Sequence, residues 1–503
     1  MLNKRGTGIL LHPTSLPGFG GIGSLGAEAR CFVDLLHAMG MTYWQVLPLG
    51  PPACGNSPYS ALTAFGGNPL LLDIGEIVAA GDLPAARSDE DDFPSDRVDF
   101  GMVTKRKMEL LHRAGSFFLD RQEPPRADAF RTFCETTPWL HDCALFLALK
   151  RHFNGIHWEQ WPREIACPTA AMRVRLTAHF AHEIGVQKYL QWQFSLQWQE
   201  LRRYANERGI AIIGDIPIFV AHDSVDVWIN RELFLLDSSG RPTVVAGVPP
   251  DYFSATGQLW GNPLYDWDAV DRDGYRWWID RFRSTFELFD IVRVDHFRGF
   301  EAAWQIPAGE RTAICGEWVP GPGERLFDTV LAALGELPII AEDLGVITPA
   351  VLALRDRYHF PGMKILQFAF DFEQDDRDLP HNHVTNGVVY TGTHDNDTSK
   401  GWYAARSDAE RCEMHTYLGT RGDDGVDGLI RAALMSVANT AIIPLQDILK
   451  LGSEARMNIP GTPFGNWEWR FTREMLPRDL AESVRTQLVR YGRAEQGESA
   501  HAS

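Results

Sequence analysis

The sequence lacks long apolar runs, paired cysteines and an excess of basic residues. No run of about 18 apolar residues occurs, and residues 1–7 contain no apolar stretch of the signal-peptide type, so no membrane-spanning helix is predicted. Seven cysteines are spread over 503 residues without a Cys-x-x-Cys pair, which predicts neither a disulfide framework nor a cysteine zinc site. We therefore expect a cytoplasmic protein with free thiols.

The charge balance excludes two classes of partner. The chain has 66 acidic and 48 basic side chains, a formal net charge of −18. Nucleic acids and anionic membranes bind basic surfaces, so neither is an expected partner. The 16 Trp, 12 Tyr and 28 Phe could fill a core or stack on sugars, and composition alone favours the core. The negative net charge suits a protein with a neutral substrate.

Short apolar segments alternate with amphipathic helical patterns along the chain. Eight such strand–helix repeats are typical of a closed (β/α)8 barrel, so we predict an α/β fold of the TIM-barrel type in which residues 1–503 form one catalytic domain. The helix predicted over 26–39 ends before Gly40, where a left-handed glycine commonly stops a helix. The predicted strands are 7–12, 42–49, 210–218, 289–297, 337–344, 363–370, 387–394 and 440–449.

Two gaps between predicted strands are longer than a barrel repeat needs, which predicts insertions on the C-terminal face. The first, about 70–185, is mostly helical in pattern. The second, about 221–285, is rich in proline, glycine and aromatic residues, and we expect loops over one face of the barrel. Residues 492–503 are small and polar, which predicts a disordered tail.

Carboxylates follow four of the predicted strands: Asp215, Asp295, Glu342 and Asp395. The carboxyl ends of barrel strands meet at one rim, so these four groups should converge. Convergent carboxylates permit acid–base and nucleophilic work on a glycosidic bond, or binding of a divalent metal. The histidines and acids at 381–383 and 395–397 have neither the H-E-x-x-H spacing nor the EF-hand spacing of metal ligands. We therefore predict no metal.

Residues 18–23 (GFGGIG) match the G-x-G-x-x-G pattern of dinucleotide sites. Such a site needs a tight turn from strand to helix, and Pro13 and Pro17 interrupt this one. The second strand also ends without the acidic residue that would bind a ribose. No phosphate-binding loop or G-x-S-x-G nucleophile motif occurs, so no cofactor is predicted.

Longer motifs resemble a known family. Segments 293–299 (RVDHFRG), 341–345 (AEDLG) and 393–398 (THDNDT) resemble signature regions of the α-amylase clan. Within that clan the chain is similar to the 4-alpha-glucanotransferases of glycoside hydrolase family 77, called amylomaltases or disproportionating enzymes, from about residue 5 to 490. The segments that carry this likeness are 8–17 (GILLHPTSLP), 44–51 (WQVLPLGP), 56–60 (NSPYS), 247–254 (GVPPDYFS), 257–263 (GQLWGNP) and 456–462 (RMNIPGT).

The resemblance implies a reaction and roles for three carboxylates. The enzyme would move α-1,4-glucan segments from a maltooligosaccharide or starch chain to the 4-OH of an acceptor glucan or glucose, by a retaining double displacement. Asp295 would be the nucleophile that forms a glycosyl-enzyme, and Glu342 the general acid and then base. Asp395 would bind the reacting sugar and stabilise the transition state.

The resemblance also implies a set of substrate-binding residues. Arg293 would keep Asp295 ionised, Tyr59 would stack on the reacting sugar, and His394 would donate to its hydroxyls. Gln258 and Trp260 would line the acceptor side. The full predicted set is Tyr59, Asp215, Gln258, Trp260, Arg293, His394 and Asn466. A lid over the active site would lie within 221–285. It would be formed by Tyr252, Phe253 and Trp260, with Gly247, Gly257 and Gly261 as its hinges.

Two alternatives stay open at this point. A plain α-glucan hydrolase would use the same carboxylates and the same intermediate, and the lid motifs favour transfer. A catalytically silent glucan-binding protein should have lost a catalytic carboxylate, and all three are present. Classical amylases have an asparagine and a histidine soon after the residue equivalent to Asp215. Here the next histidine is His222, which leaves the role of Asp215 open. The oligomeric state is not predicted.

Overall fold

A computed structural model describes residues 2–53, 55–84, 93–121, 123–250, 254–370, 376–422 and 424–495. Eight parallel strands close into a barrel in the order β1-β12-β11-β10-β9-β6-β3-β2, which confirms the predicted (β/α)8 fold. Each of the eight predicted segments contributes one strand. The twelve strands in the described residues are β1 Gly6–Leu10, β2 Tyr43–Gln45, β3 Ala211–Pro217, β4 Val244–Val248, β5 Gln258–Pro263, β6 Ile291–Asp295, β7 Ala302–Pro307, β8 Glu317–Pro320, β9 Ile339–Ala341, β10 Gly362–Ile365, β11 Gly387–Tyr390 and β12 Thr440–Pro444.

The helices surround this barrel and fill the long connection between β2 and β3. Within the described segments, none is long and apolar enough to cross a bilayer. The helices are α1 Ala27–Met39, α2 Ile74–Ala79, α3 Phe100–Arg121, α4 Arg126–Thr136, α5 Leu140–His152, α6 Arg163–Ala166, α7 Ala170–His179, α8 Ala181–Glu207, α9 Val225–Ile229, α10 Trp267–Arg272, α11 Arg276–Leu288, α12 Glu324–Leu334, α13 Pro349–Arg357, α14 Leu366–Ala369, α15 Ser399–Ala404, α16 Asp408–Leu418, α17 Gly425–Met435, α18 Leu445–Ile448 and α19 Leu480–Arg490.

The ends of predicted elements are explained by local packing. Helix α1 stops at Gly40, which adopts φ +79° as expected. The apolar run 363–370 is strand only to Ile365 and then helical, because a run buried on all sides carries no periodicity that marks the change. Gly214 lies one residue before Asp215, and a Cβ there would be 2.1 Å from the Phe289 ring. The absence of a side chain therefore lets Phe289 pack directly on β3.

The segment 221–285 is more regular than the predicted loop-rich lid. It contains β4 and β5, which join β7 and β8 in a four-stranded antiparallel sheet of order β5-β4-β7-β8. It also contains α9, α10 and most of α11. The prediction missed this sheet because β5 carries glycine and proline within six residues, which lowers its strand signal.

The start of the predicted disordered tail is ordered. Arg493 is buried, and its guanidinium donates hydrogen bonds to six backbone carbonyls at the N-terminal end of the barrel. The expectation of a disordered tail is therefore wrong at this residue, because one long polar side chain donates hydrogen bonds to the backbone carbonyls at several strand and helix ends. Residues 496–503 lie outside the described residues. The acceptors are the carbonyls of Gly6, Ala433, Leu434, Ser436, Ala438 and Asn439.

We predict that Arg493→Ala lowers the free energy of unfolding by roughly 3 kcal/mol, since it leaves buried carbonyls without donors. Arg490→Ala is the matched control, because Arg490 lies exposed at the end of α19. Urea unfolding followed by tryptophan fluorescence measures both variants. Equal midpoints for the two would contradict this role of Arg493.

Candidate active site

The carboxyl ends of the barrel strands bring six of the predicted residues to one rim. Two lie within β6, one lies within β3, one directly follows β9, and two follow β11 after a short turn. Parallel strands all end on the same face of a barrel, so residues distant in sequence become neighbours there. The six residues are Asp215, Arg293, Asp295, Glu342, His394 and Asp395.

Arg293 is the centre of this group. Its Nη1 donates to Asp215 Oδ2 at 2.7 Å, and its Nη2 lies 2.9 Å from Asp295 Oδ1. Arg293 and Asp215 are buried, whereas the Asp295 side chain is 29% exposed toward the cleft. Burial raises the pKa of Asp215 to about 7, and Arg293 opposes that shift. The buried guanidinium of Arg293 therefore pairs with two carboxylates, the buried Asp215 and the partly exposed Asp295.

Glu342 occupies a different environment from Asp295. It is buried, and its two carboxyl oxygens accept hydrogen bonds from the backbone N–H groups of His296 at 2.7 Å and Leu344 at 2.8 Å. Burial raises the pKa of Glu342 to about 7, the nearby charge of Asp295 adds to the rise, and Arg293 opposes it. This carboxyl can therefore hold or release a proton near neutral pH.

His296 joins the two carboxylates through its backbone. It adopts φ +51°, an uncommon conformation for a residue with a side chain, and this turn aims its N–H at Glu342. Such a strained turn after β6 holds the side chains of Asp295 and Glu342 at one place. The His296 ring meets Trp260 edge to face, with 4.7 Å between ring centroids.

Tyr59 and His394 form an aromatic wall beside the carboxylates. Their rings stack with centroids 5.0 Å apart, and the Tyr59 hydroxyl donates to Asp215 Oδ2 at 2.8 Å. Burial lowers the pKa of His394, which favours the neutral imidazole. Trp467 packs behind both rings, with centroid distances of 5.9 Å to each. Trp467 was not predicted from the sequence, although it directly follows the predicted Asn466.

Asp395 is held from a second loop. Asn458 Nδ2 donates to Asp395 Oδ1 at 2.6 Å, and Arg456 Nη2 donates to the Asp395 backbone carbonyl at 2.8 Å. The other Asp395 oxygen lies 3.4 Å from His394 Nε2. Neither Asn458 nor Arg456 was singled out from the sequence. The only signal was their place in the conspicuous segment 456–462.

Asn466 has an internal role in the same loop. Its Oδ1 accepts from the Ile459 N–H at 2.8 Å, and its Nδ2 donates to the Thr462 carbonyl at 2.9 Å and hydroxyl at 3.0 Å. The residue is buried. Its amide therefore fixes the loop that carries Asn458.

Gln258 and Trp260 lie together on β5, at the edge of the second sheet. Trp260 Nε1 donates to Gln258 Oε1 at 3.2 Å, and the Trp260 side chain is exposed. Of the predicted hinge glycines, Gly247 lies within β4, where a Cβ would be 2.3 Å from the Gln258 carbonyl oxygen. It permits close strand pairing, whereas Gly257 and Gly261 adopt positive φ. Tyr252 and Phe253 lie outside the described residues.

Comparison with known proteins decides the family. The sequence profile described as 4-alpha-glucanotransferase matches residues 11–476. The chain belongs to the 4-alpha-glucanotransferase family. It is 49% identical to the 4-alpha-glucanotransferase of Thermus thermophilus over 95% of this chain and 96% of that protein. It is 45% identical to the chloroplastic/amyloplastic 4-alpha-glucanotransferase of Solanum tuberosum, over 98% of this chain and 87% of that protein.

A solved structure agrees with this assignment. The amylomaltase from Streptococcus agalactiae, solved in complex with acarbose, superposes with a TM-score of 0.94 at 36% identity, over 98% of this chain and 100% of that chain. The protein is thus an enzyme with 4-alpha-glucanotransferase activity, as the motifs predicted. This family uses a retaining mechanism with a covalent intermediate.

The buried pair of Arg293 and Asp215 can be tested by a double-mutant cycle. We expect Arg293→Met to lower the free energy of unfolding by roughly 3–5 kcal/mol, because it leaves Asp215 buried without its cation. Asp215→Asn removes that charge, so the double variant should be less destabilised than the sum of the two single changes. Urea unfolding measures all four proteins. Strictly additive losses would contradict the pairing.

Proposed function

We propose that this 4-alpha-glucanotransferase moves α-1,4-glucan segments from a maltooligosaccharide or starch chain to the 4-OH of an acceptor glucan or glucose. The observation that carries the proposal is the contrast between two neighbouring carboxyls. Asp295 lies 2.9 Å from a guanidinium, whereas Glu342 is buried and its pKa is raised to about 7. A retaining glycosidase-type mechanism needs one ionised and one protonated carboxyl.

In the first step Asp295 would attack C1 of the reacting sugar. A covalent bond forms between C1 and a carboxylate oxygen, and the bond from C1 to the glycosidic oxygen breaks. Glu342 would give its proton to that departing oxygen, which leaves as the 4-OH of the released chain. The Arg293 contact supports this assignment, since the guanidinium holds the Asp295 carboxylate in place at the rim.

In the second step the 4-OH of an acceptor would attack C1 from the opposite face. Glu342, now ionised, would take the proton of that hydroxyl, and the ester bond to Asp295 would break. Two inversions at C1 restore the original configuration. The cycle ends with Asp295 ionised and Glu342 protonated, so no cofactor or metal is required.

The remaining rim residues would bind the reacting sugar. We propose that Asp395, oriented by Asn458, accepts hydrogen bonds from sugar hydroxyls and stabilises positive charge in the transition state. The neutral His394 can donate to a hydroxyl, and Tyr59 offers an aromatic face. Asp215 would act through Arg293, and Asn466 through the loop that positions Asn458.

Gln258 and Trp260 would form the acceptor side, where an exposed indole can stack on a sugar. Transfer requires that a sugar hydroxyl reach the intermediate before water does, and we propose that this edge of the second sheet, with residues 247–250 and 254–261, excludes water. The Streptococcus agalactiae amylomaltase, solved in complex with acarbose, supports the proposal that this fold binds glucans. We also propose a cytoplasmic location, because free thiols persist in reducing compartments.

Incubation of the pure enzyme with maltotriose separates transfer from hydrolysis. We expect glucose together with maltopentaose and longer chains, at a nearly constant number of reducing ends. Asp295→Asn and Glu342→Gln should each lose at least roughly 10³-fold in rate, because each removes a group that makes or breaks bonds. Asp268→Asn is the matched control, since Asp268 is exposed on α10.

Two results would overturn parts of this proposal. Reducing ends that rise steadily, with no product longer than maltotriose, would identify a hydrolase. Full activity in Asp295→Asn would remove Asp295 as nucleophile.

A further inference from the structure

Two histidines and a glutamate converge away from the catalytic rim. In the described part of the chain, one ligand atom each from His157, Glu159 and His222 lie within 4.8 Å of one another. His157 and Glu159 flank Trp158 in a short turn of the helical insertion, and His222 belongs to the loop between β3 and α9. The His157 and His222 rings are 4.8 Å apart between centroids.

The hydrogen bond of His222 to the backbone fixes the tautomer of its ring. Its Nε2 lies 2.8 Å from the Gly240 carbonyl oxygen, which can only accept, so Nε2 carries the proton. The Nδ1 atom therefore has a free lone pair. Metal-binding histidines commonly donate their other N–H to a backbone carbonyl in this way, which fixes the ring and its tautomer.

Glu159 and His157 each have an interaction within the protein besides the one proposed with a metal ion. Glu159 Oε1 accepts a hydrogen bond from Arg241 Nε at 2.6 Å. The second carboxylate oxygen, Oε2, can bind a cation. His157 Nδ1 accepts a hydrogen bond of 3.2 Å from the Glu159 N–H, and a metal ion bound through this nitrogen would replace that bond. Nearby, Lys150 is paired with Asp223 at 2.6 Å, so its charge is balanced by a neighbouring carboxylate.

We propose that His157, Glu159 and His222 bind one divalent transition-metal ion of the zinc type. Imidazole nitrogen suits Zn²⁺, Co²⁺ or Ni²⁺, whereas Ca²⁺ and Mg²⁺ prefer oxygen ligands throughout. Metal–ligand bonds of about 2.1 Å place tetrahedral ligand atoms roughly 3.4 Å apart. The three ligand atoms, now within 4.8 Å of one another, would have to move closer on binding, and water would complete the shell.

The ion would fasten the helical insertion to the loop after β3. Trp158 already links these segments, because its Nε1 donates to the His222 carbonyl at 2.6 Å. The same loop continues to the acceptor side, where Asn262 on β5 donates to the Val220 carbonyl at 2.9 Å. The site is therefore a structural clamp, separate from the reacting carboxylates. Glu159 and His222 are 63 residues apart in the sequence, which explains why residue spacing does not predict this site.

Cobalt titration tests the clamp on the intact enzyme after treatment with EDTA and removal of the chelator. We expect one equivalent of Co²⁺ to give visible absorption of a four-coordinate site, one equivalent of Zn²⁺ to abolish it, and Zn²⁺ to raise the midpoint of thermal unfolding. Glu159→Gln and His157→Gln should each weaken Co²⁺ binding by at least roughly tenfold. His182→Gln, an exposed histidine at the start of α8, should bind as the wild type does.

Activity on maltotriose in the metal-free state reports that each variant is folded. Failure of the wild type to bind Co²⁺ stoichiometrically would overturn the proposal. So would binding that is unchanged in both Glu159→Gln and His157→Gln, because the ion would then lie elsewhere.

Discussion

The active site depends on one buried guanidinium that is shared between two carboxylates. Arg293 pairs with the fully enclosed Asp215 on one side and with the cleft-facing Asp295 on the other. A buried cation without partners would be prohibitively costly, and Asp215 supplies the partner that keeps Arg293 in place. Because Asp215 is itself held by the Tyr59 hydroxyl, the aromatic wall and the proposed nucleophile share one network.

This network gives neighbouring carboxyls different electrostatic surroundings. Asp295 faces the shared cation directly, whereas burial dominates at Glu342 and raises its pKa. The strained turn at His296 links the two, since its N–H is bonded to Glu342 and its ring contacts Trp260. The proposed roles of Asp295 as nucleophile and Glu342 as acid thus depend on where β6 and β9 end.

The barrel and the converging carboxylates could be predicted because both follow from local patterns. Apolar runs mark strands, and the C-terminal rim rule collects residues such as Glu342 and Asp395 whatever lies between them. Trp467 and Asn458 could not be predicted, because their contacts depend on how a distant loop folds over the rim. The second sheet was not predicted for a related reason. It pairs strands that are distant in the sequence, and the apolar pattern of each strand is weak. The histidine–glutamate cluster likewise exists only in three dimensions.

The pH dependence of kcat/KM for two donors tests the opposed protonation states most directly. In the proposed mechanism, cleavage of maltotriose needs a proton from Glu342, so its kcat/KM should fall as pH rises through about 7, the raised pKa of that carboxyl. An α-maltosyl fluoride donor releases fluoride without that proton, so its glycosylation step should show no such fall, and Glu342→Gln should still react with it. The same fall with both donors, or a maltotriose profile that stays flat through pH 7, would contradict the account.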